Sequence, residues 1–282
     1  MIPESILRTF LILLFAAMEA GAQSTEPREV SAARICAEGY RLYEQKHYAE
    51  AEARFLAGIL ESEKTVKATS MRGGCLVQLA RTQEKEGKYV DAEANARRAV
   101  AIFERFPLSG NLGLSTALIV LGDTLEDLEK YSEAVVVVQR AWTLEVGNES
   151  DQSAQYRGIP FRRHLGRLYL KNKEYDRATT ILQQNVSLLE KPGITGHTEV
   201  VPALNELAAV FIAQGKLTEA EGLLHRALTL SDRWPETVVA ETLLATLDEY
   251  AEVMKLSDRD AIAKQFADRA SAIREHYAST PQ

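Results

Sequence analysis

The sequence repeats itself with a period of about 42 residues, and this period constrains the fold more than any other feature. In each copy a tyrosine or leucine is followed three positions later by alanine. These anchor residues are Tyr48, Tyr89, Tyr131, Tyr175 and Leu217, at successive spacings of 41, 42, 44 and 42 residues. Such a period is typical of solenoids, whose units cannot bury an apolar face alone and therefore stack on their neighbours.

Each copy is predicted to form a pair of helices. Before the anchor, apolar residues recur at helical spacing, as in Leu204, Leu207 and Phe211. Gly87 and Gly215 suit the end of this first helix, where a left-handed residue stops it. Ten and nine residues before each anchor lie two consecutive residues, and the second of them is small. These pairs are Glu38-Gly39, Leu79-Ala80, Leu121-Gly122, Leu165-Gly166 and Leu207-Ala208. Small residues at fixed positions let two helices approach closely, and independent helices in a bundle would not explain the constant register.

Together these residues resemble a tetratricopeptide repeat, in the long variety found in kinesin light chains and many bacterial proteins. The clearest copy is Asn205-Glu206-Leu207-Ala208, followed by Phe211 and by Gly215-Lys216-Leu217. The resemblance covers five copies over residues 31–230. Residues 235–277 match more weakly, with Asp260-Ala261 taken as the equivalent of Glu219-Ala220, and we expect a capping repeat there. The implied fold is all-α, a right-handed superhelical solenoid of antiparallel helix pairs over residues 23–277, with a tail at 278–282.

The resemblance also implies a ligand groove along the first helix of each pair. Counting from the small residue of each copy, we expect the following side chains to face it: Arg81, Glu84, Asp123, Glu126, Asp127, Arg163, Arg167, Lys171 and Asn205. Arg163 and Arg167 are four residues apart, hence on one helical face, and could bind a carboxylate or phosphate. Asn205 matches a position that contacts the ligand backbone in related repeats. The alternative is that the charged residues are simply solvated.

Residues 1–22 are predicted to be a signal peptide. The uncharged stretch from Phe10 to Met18 rises only ~14 Å as a helix, against roughly 30 Å for a hydrocarbon core. Ala20-Gly21-Ala22 supplies the small residues of a cleavage site, so we expect Gln23 as the mature N-terminus. The interpretation is an exported protein, periplasmic or secreted, from a bacterial source. An uncleaved tether and an unexported chain remain the alternatives.

No motif for catalysis, metal binding or a cofactor is found, and the five histidines are scattered through different units. The net charge of -7 argues against nucleic-acid binding. We therefore expect a non-catalytic scaffold that binds a protein or peptide. The alternatives are a self-assembling element that forms homo-oligomers, and a regulatory or carrier subunit of an envelope enzyme.

The two cysteines, Cys36 and Cys75, lie on first helices of neighbouring copies but two residues out of step. Helix axes pack ~8–10 Å apart, whereas a disulfide needs Cα atoms within ~7 Å. This comparison favours free thiols, with a bridge as the alternative.

Overall fold

The chain forms only helices and turns in the residues that the computed structural model describes, which are 27–106, 112–147, 152–191, 197–233 and 240–279. Across these ranges there are thirteen α-helices and one 3₁₀ turn at Val66–Ala68. The predicted signal peptide and its cleavage site between Ala22 and Gln23 lie outside the described residues.

The first of two compact units ends at Gly147 and contains six helices. They are α1 (Arg28–Glu44), α2 (Tyr48–Glu63), α3 (Thr69–Lys85), α4 (Tyr89–Arg105), α5 (Leu112–Asp127) and α6 (Tyr131–Val146). The helices form three consecutive pairs, and the second helix of each of the first two pairs also packs on the first helix of the next. The first helices α1, α3 and α5 contact one another in order.

The second unit follows the same plan. Its helices are α7 (Gln152–Arg157), α8 (Ile159–Lys171), α9 (Tyr175–Leu189), α10 (His197–Ala213), α11 (Leu217–Arg233), α12 (Ala240–Leu256) and α13 (Asp260–Ser279). After the short α7 there are three pairs, and the first helices α8, α10 and α12 again contact one another in order. The last pair lies where the capping repeat is expected, and its capping role stays a prediction. Its second helix runs to Ser279, so two residues of the expected tail are helical.

The two helices of every described pair are joined by the same three-residue turn. Its central residue has a positive φ at each of Lys46, Gly87, Glu129, Lys173, Gly215 and Asp258. The next residue closes the first helix, as when the Lys88 N–H donates to the Gln83 carbonyl at 2.8 Å. This is the Schellman arrangement, which satisfies carbonyls at the helix end and reverses the chain. The expected helix ends at the two glycines are confirmed, and the four other residues adopt the same conformation without a glycine.

The recurring alanines of the second helices belong to the buried core. All five are fully buried: Ala51, Ala92, Ala134, Ala178 and Ala220. In the last pair the same position is held by Ala263, which lies three residues into α13 and is 1% exposed. The sequence alignment through Asp260-Ala261 is therefore wrong by two residues, because the left-handed turn of this pair lies at Asp258.

The small residues of the first helices also have a packing reason. A Cβ atom added to Gly166 would lie 2.4 Å from Leu182 Cδ2, and one added to Gly39 would lie 2.9 Å from the ring of Phe55. Real Cβ atoms do not approach other heavy atoms so closely. In these two pairs a large side chain of the second helix therefore occupies the space that the glycine leaves.

Cys36 and Cys75 form a disulfide that ties α1 to α3, so the expectation of free thiols is wrong. Their Cα atoms are 6.1 Å apart. The expectation failed because it compared a Cα distance with a distance between helix axes. Each Cα lies about 2.3 Å from its own axis, so residues on facing sides of neighbouring helices are much closer than the axes themselves. Gly58 makes room for the bridge, since a Cβ there would lie 2.4 Å from Cys36 Sγ.

Replacing Gly166 by alanine tests the close packing of the second unit. We expect Gly166→Ala to destabilise the protein by about 1–3 kcal/mol, because the new methyl group overlaps the buried Leu182 side chain. Gly222→Ala is the matched control, since a Cβ at Gly222 meets nothing within 4 Å. It should stabilise helix α11 by up to about 1 kcal/mol. Urea unfolding followed by circular dichroism measures both, and equal effects of the two changes would contradict the packing account.

Candidate functional site

The second unit contains an open cavity of about 380 Å³ between its three first helices, α8, α10 and α12. It lies where the resemblance predicts a groove, along the first helices of successive pairs. The cavity is lined by Gly166, Arg167, Leu170, Leu182, Pro202, Asn205, Glu206, Ala209, Glu241, Thr242, Ala245 and Glu249.

One side of this cavity is apolar. Leu170 of α8, Ala209 of α10 and the side chain of Leu182 form this wall. Leu182 belongs to the second helix α9, and its side chain reaches the cavity because Gly166 in front of it has no side chain of its own. The glycine that allows α8 and α9 to pack closely therefore also opens the cavity.

The lining also includes two glutamates that each have an unsatisfied carboxyl oxygen. Glu206 Oε2 and Glu249 Oε2 are buried, and neither has a hydrogen-bond partner among the described residues. Burial is the main cause that raises the pKa of Glu249 to about 8, and the negative charges of Glu252, Glu206 and Asp248 raise it further. Glu249 is therefore protonated in most molecules at neutral pH, and a cation placed beside it would favour its ionised form.

Arg163 is already engaged by carboxylates of α10. Its guanidinium lies 2.8 Å from Glu206 Oε1 and 2.9 Å from Glu199 Oε2. Arg167 lines the cavity one turn further along α8, so the structure places the two predicted arginines in different surroundings. Lys171 is exposed at the end of α8 and does not line the cavity.

Asn205 lines the cavity as well, but its amide contacts the neighbouring helix. It is only 5% exposed, and Nδ2 donates to Thr246 Oγ1 at 2.8 Å. This bond ties α10 to α12. The role predicted for Asn205, contact with a ligand backbone, stays a prediction.

The remaining predicted groove residues belong to the first unit, on α3 and α5. Glu84 accepts a hydrogen bond from the Thr124 hydroxyl. Burial raises the pKa of Glu84 to about 7; the Thr124 bond opposes the shift, and the charges of Asp123 and Asp127 add to it. The positive charge of Arg81 lowers the pKa of the same carboxyl group. Glu126 is half-buried on α5, between these two aspartates in sequence. The structure thus gathers an acidic cluster with one arginine in the first unit.

Sequence reasoning missed the contribution of α12 to the cavity. Glu241, Thr242, Ala245 and Glu249 all line it, yet they belong to the capping repeat, in which no groove residue was predicted. A signal was present, because Glu241, Ala245 and Glu249 recur at a spacing of four and so share one face of a helix. It was overlooked because the capping repeat was treated as a cover for the solenoid end.

Comparison with known proteins supports the fold. Residues 203–232 match the family model described as tetratricopeptide repeat. BtubC (BKLC) from P. vanneervenii is similar in structure, with a TM-score of 0.64 and 16% identity over 90% of this chain and 92% of that one. The fold is that of a TPR solenoid. A search of curated protein sequences found no significant match.

Two further structures agree with this assignment. One is a structure of nearly identical TPR-like repeats from a kinesin light chain protein of Podosopora anserina. Its TM-score is 0.61 at 20% identity, and the match covers 75% of this chain and 98% of that one. A tetratricopeptide repeat protein from Parabacteroides merdae gives 0.59 at 17% identity over 89% and 81% of the two chains. These TPR solenoids confirm the expected all-α class. Within the described ranges, every helix is too short or too polar to span a bilayer.

Proposed function

We propose that the protein is an exported, non-catalytic scaffold that binds a protein or peptide partner through the cavity of its second unit. The observation that carries this proposal is the cavity itself, which lies between α8, α10 and α12 and joins an apolar wall to buried carboxyl oxygens. Binding sites combine apolar lining with a few polar groups that orient the ligand in this way.

The construction of the cavity favours binding without rearrangement. Its walls are helices, each first helix is closed by the same tight turn, and Asn205 bonds α10 to α12. A preformed site loses little conformational entropy when the ligand arrives, so more of the contact energy appears as affinity. The partner is expected to be a protein segment rather than a nucleic acid, since the chain carries a net charge of -7.

The disulfide supports the export part of the proposal. Bonds of this kind persist in oxidising compartments such as the periplasm and the extracellular space, and they are rare in the cytosol. Cys36–Cys75 lies within the first unit and is independent of residues 1–22. A signal-like N-terminus and a disulfide therefore point to the same compartment, periplasmic or secreted.

Site-specific photo-crosslinking in the native host tests the binding role. A photo-reactive amino acid placed at Ala245, on the exposed rim of the cavity, should give adducts with a partner protein. The matched control is the same amino acid at Thr229, which is exposed on the second helix α11 and does not line the cavity. We expect adducts at Ala245 that are absent or much weaker at Thr229.

Other results of this experiment would contradict the proposal. Equal labelling at the two positions would show that the cavity has no special role. Adducts that contain only a second copy of the chain would favour the self-assembling alternative.

The mature protein from the host tests export. Its mass should correspond to a chain that begins at Gln23. A thiol reagent should label neither cysteine in the denatured protein before reduction, and both Cys36 and Cys75 after it. A protein that retains Met1 and reacts at both cysteines without reduction would contradict export.

A further inference from the structure

We propose that the cavity of the second unit is a pocket for a lysine or arginine side chain of the partner peptide, with the apolar stem against Leu170 and Leu182 and the cationic head at Glu206 and Glu249. This inference rests on the proposed function and adds the chemistry of the ligand. It differs from the ligand class expected from the sequence, where Arg163 and Arg167 pointed to a carboxylate or phosphate.

The unsatisfied oxygens are the first reason. Glu206 and Glu249 belong to two different helices and line the same cavity, and one oxygen of each, Oε2, is buried with no hydrogen-bond partner in the described part of the chain. A buried oxygen without a donor costs free energy, whereas a charge-assisted bond to an ammonium or guanidinium group recovers it. A ligand that brings donors close to both carboxyl groups would offset this cost.

The balance of charge around the cavity is the second reason. Its lining contains three carboxyl groups, at Glu206, Glu241 and Glu249, against one basic residue, Arg167. The ion pair with Arg163 neutralises Glu206, which leaves Glu241 and Glu249 against Arg167. Once Glu249 is ionised, the lining carries a net negative charge, and a basic ligand is complementary to it.

The apolar wall is the third reason, because it selects a side chain with a hydrocarbon stem. Leu170, Leu182 and Ala209 can cover the methylene groups of lysine or arginine while the charged end reaches the carboxyl groups. A small inorganic cation would leave this wall exposed to water. A peptide side chain uses both halves of the cavity.

Ligand binding should depend on pH through Glu249. The groups that act on this carboxyl are Glu252 and Asp248 of its own helix and Glu206 of α10. Asp248 is bonded by Arg274 of α13, and Arg167 of α8 lines the same cavity. Burial and the neighbouring carboxylates hold the pKa of Glu249 at about 8 in the free protein, so a bound cation must displace a proton below that pH. Affinity should rise as the pH rises toward 8.

A random peptide display library panned against the full chain tests the inference. We expect the recovered peptides to share a lysine or arginine next to apolar residues. For a synthetic peptide from this set, affinity measured by isothermal titration calorimetry should rise by about tenfold between pH 6.5 and pH 8.5, with a proton released on binding.

Three variants assign the effect to the cavity. Glu249→Gln should weaken the peptide by at least about tenfold at pH 8.5 and abolish the pH dependence, because it removes the charge and keeps the shape. Glu252→Gln is the matched control, because it removes the same charge one turn away, at an exposed residue that does not line the cavity. Since the charge of Glu252 raises the pKa of Glu249, this variant should move the rise in affinity to lower pH and leave the affinity at pH 8.5 nearly unchanged. Ala245→Lys adds a competing cation at the exposed rim without altering a buried group, and it should also weaken binding.

The outcomes separate this inference from the proposed function. Recovered peptides that are acidic or uncharged at the shared position would overturn the inference while leaving a peptide-binding groove. Equal losses for Glu249→Gln and Glu252→Gln would also overturn it, since general charge would then explain the effect. A library that yields no peptide at all would overturn both the inference and the peptide-binding function.

Discussion

Close approach of two helices at small residues is the interaction on which the whole structure depends. In every described pair an alanine three residues into the second helix is buried, from Ala51 to Ala263, and at Gly39 and Gly166 of the first helices a side chain of the second helix fills the space of the missing Cβ. A single pair exposes apolar surface on its outer sides, and only stacking on the next pair removes that surface from water. The three-residue turn fixes how the chain reverses, so the same contact is reproduced six times at nearly constant spacing.

The cavity follows from this stacking. Because first helices contact first helices within the second unit, α8, α10 and α12 together present one continuous surface to a ligand. Gly166 lets Leu182 reach that surface, and the absence of bulk at Ala209 and Ala245 keeps it open. The carboxyl groups of Glu206 and Glu249 then lie at a partly dehydrated site, where an unpaired charge is costly and an incoming cation is favoured. Packing and recognition are therefore produced by the same residues.

The repeat could be predicted from the sequence because periodic packing leaves a periodic pattern. Tyr89 and its equivalents mark the starts of second helices, and Gly87 and Gly215 mark left-handed turns, as expected. Lys46, Glu129, Lys173 and Asp258 adopt the same turn without a glycine, so their conformation could not be seen in the residue type. The disulfide was not predicted because the distance between the Cα atoms of Cys36 and Cys75 depends on which faces of α1 and α3 are turned toward each other, and the sequence does not give this. The ion pairs of Arg163 and the unsatisfied oxygen of Glu249 depend on side-chain positions across neighbouring repeats, and no spacing within one helix reports them.

Hydrogen–deuterium exchange of the full chain, with and without a peptide recovered from the library, tests the central claim most directly. The account predicts that bound peptide slows exchange in α8, α10 and α12, because these helices supply all of the lining except Leu182 of α9, while α11 and α13 change little. Protection confined to the second helices, or protection restricted to α1–α6, would contradict the assignment of the binding surface to the first helices of the second unit.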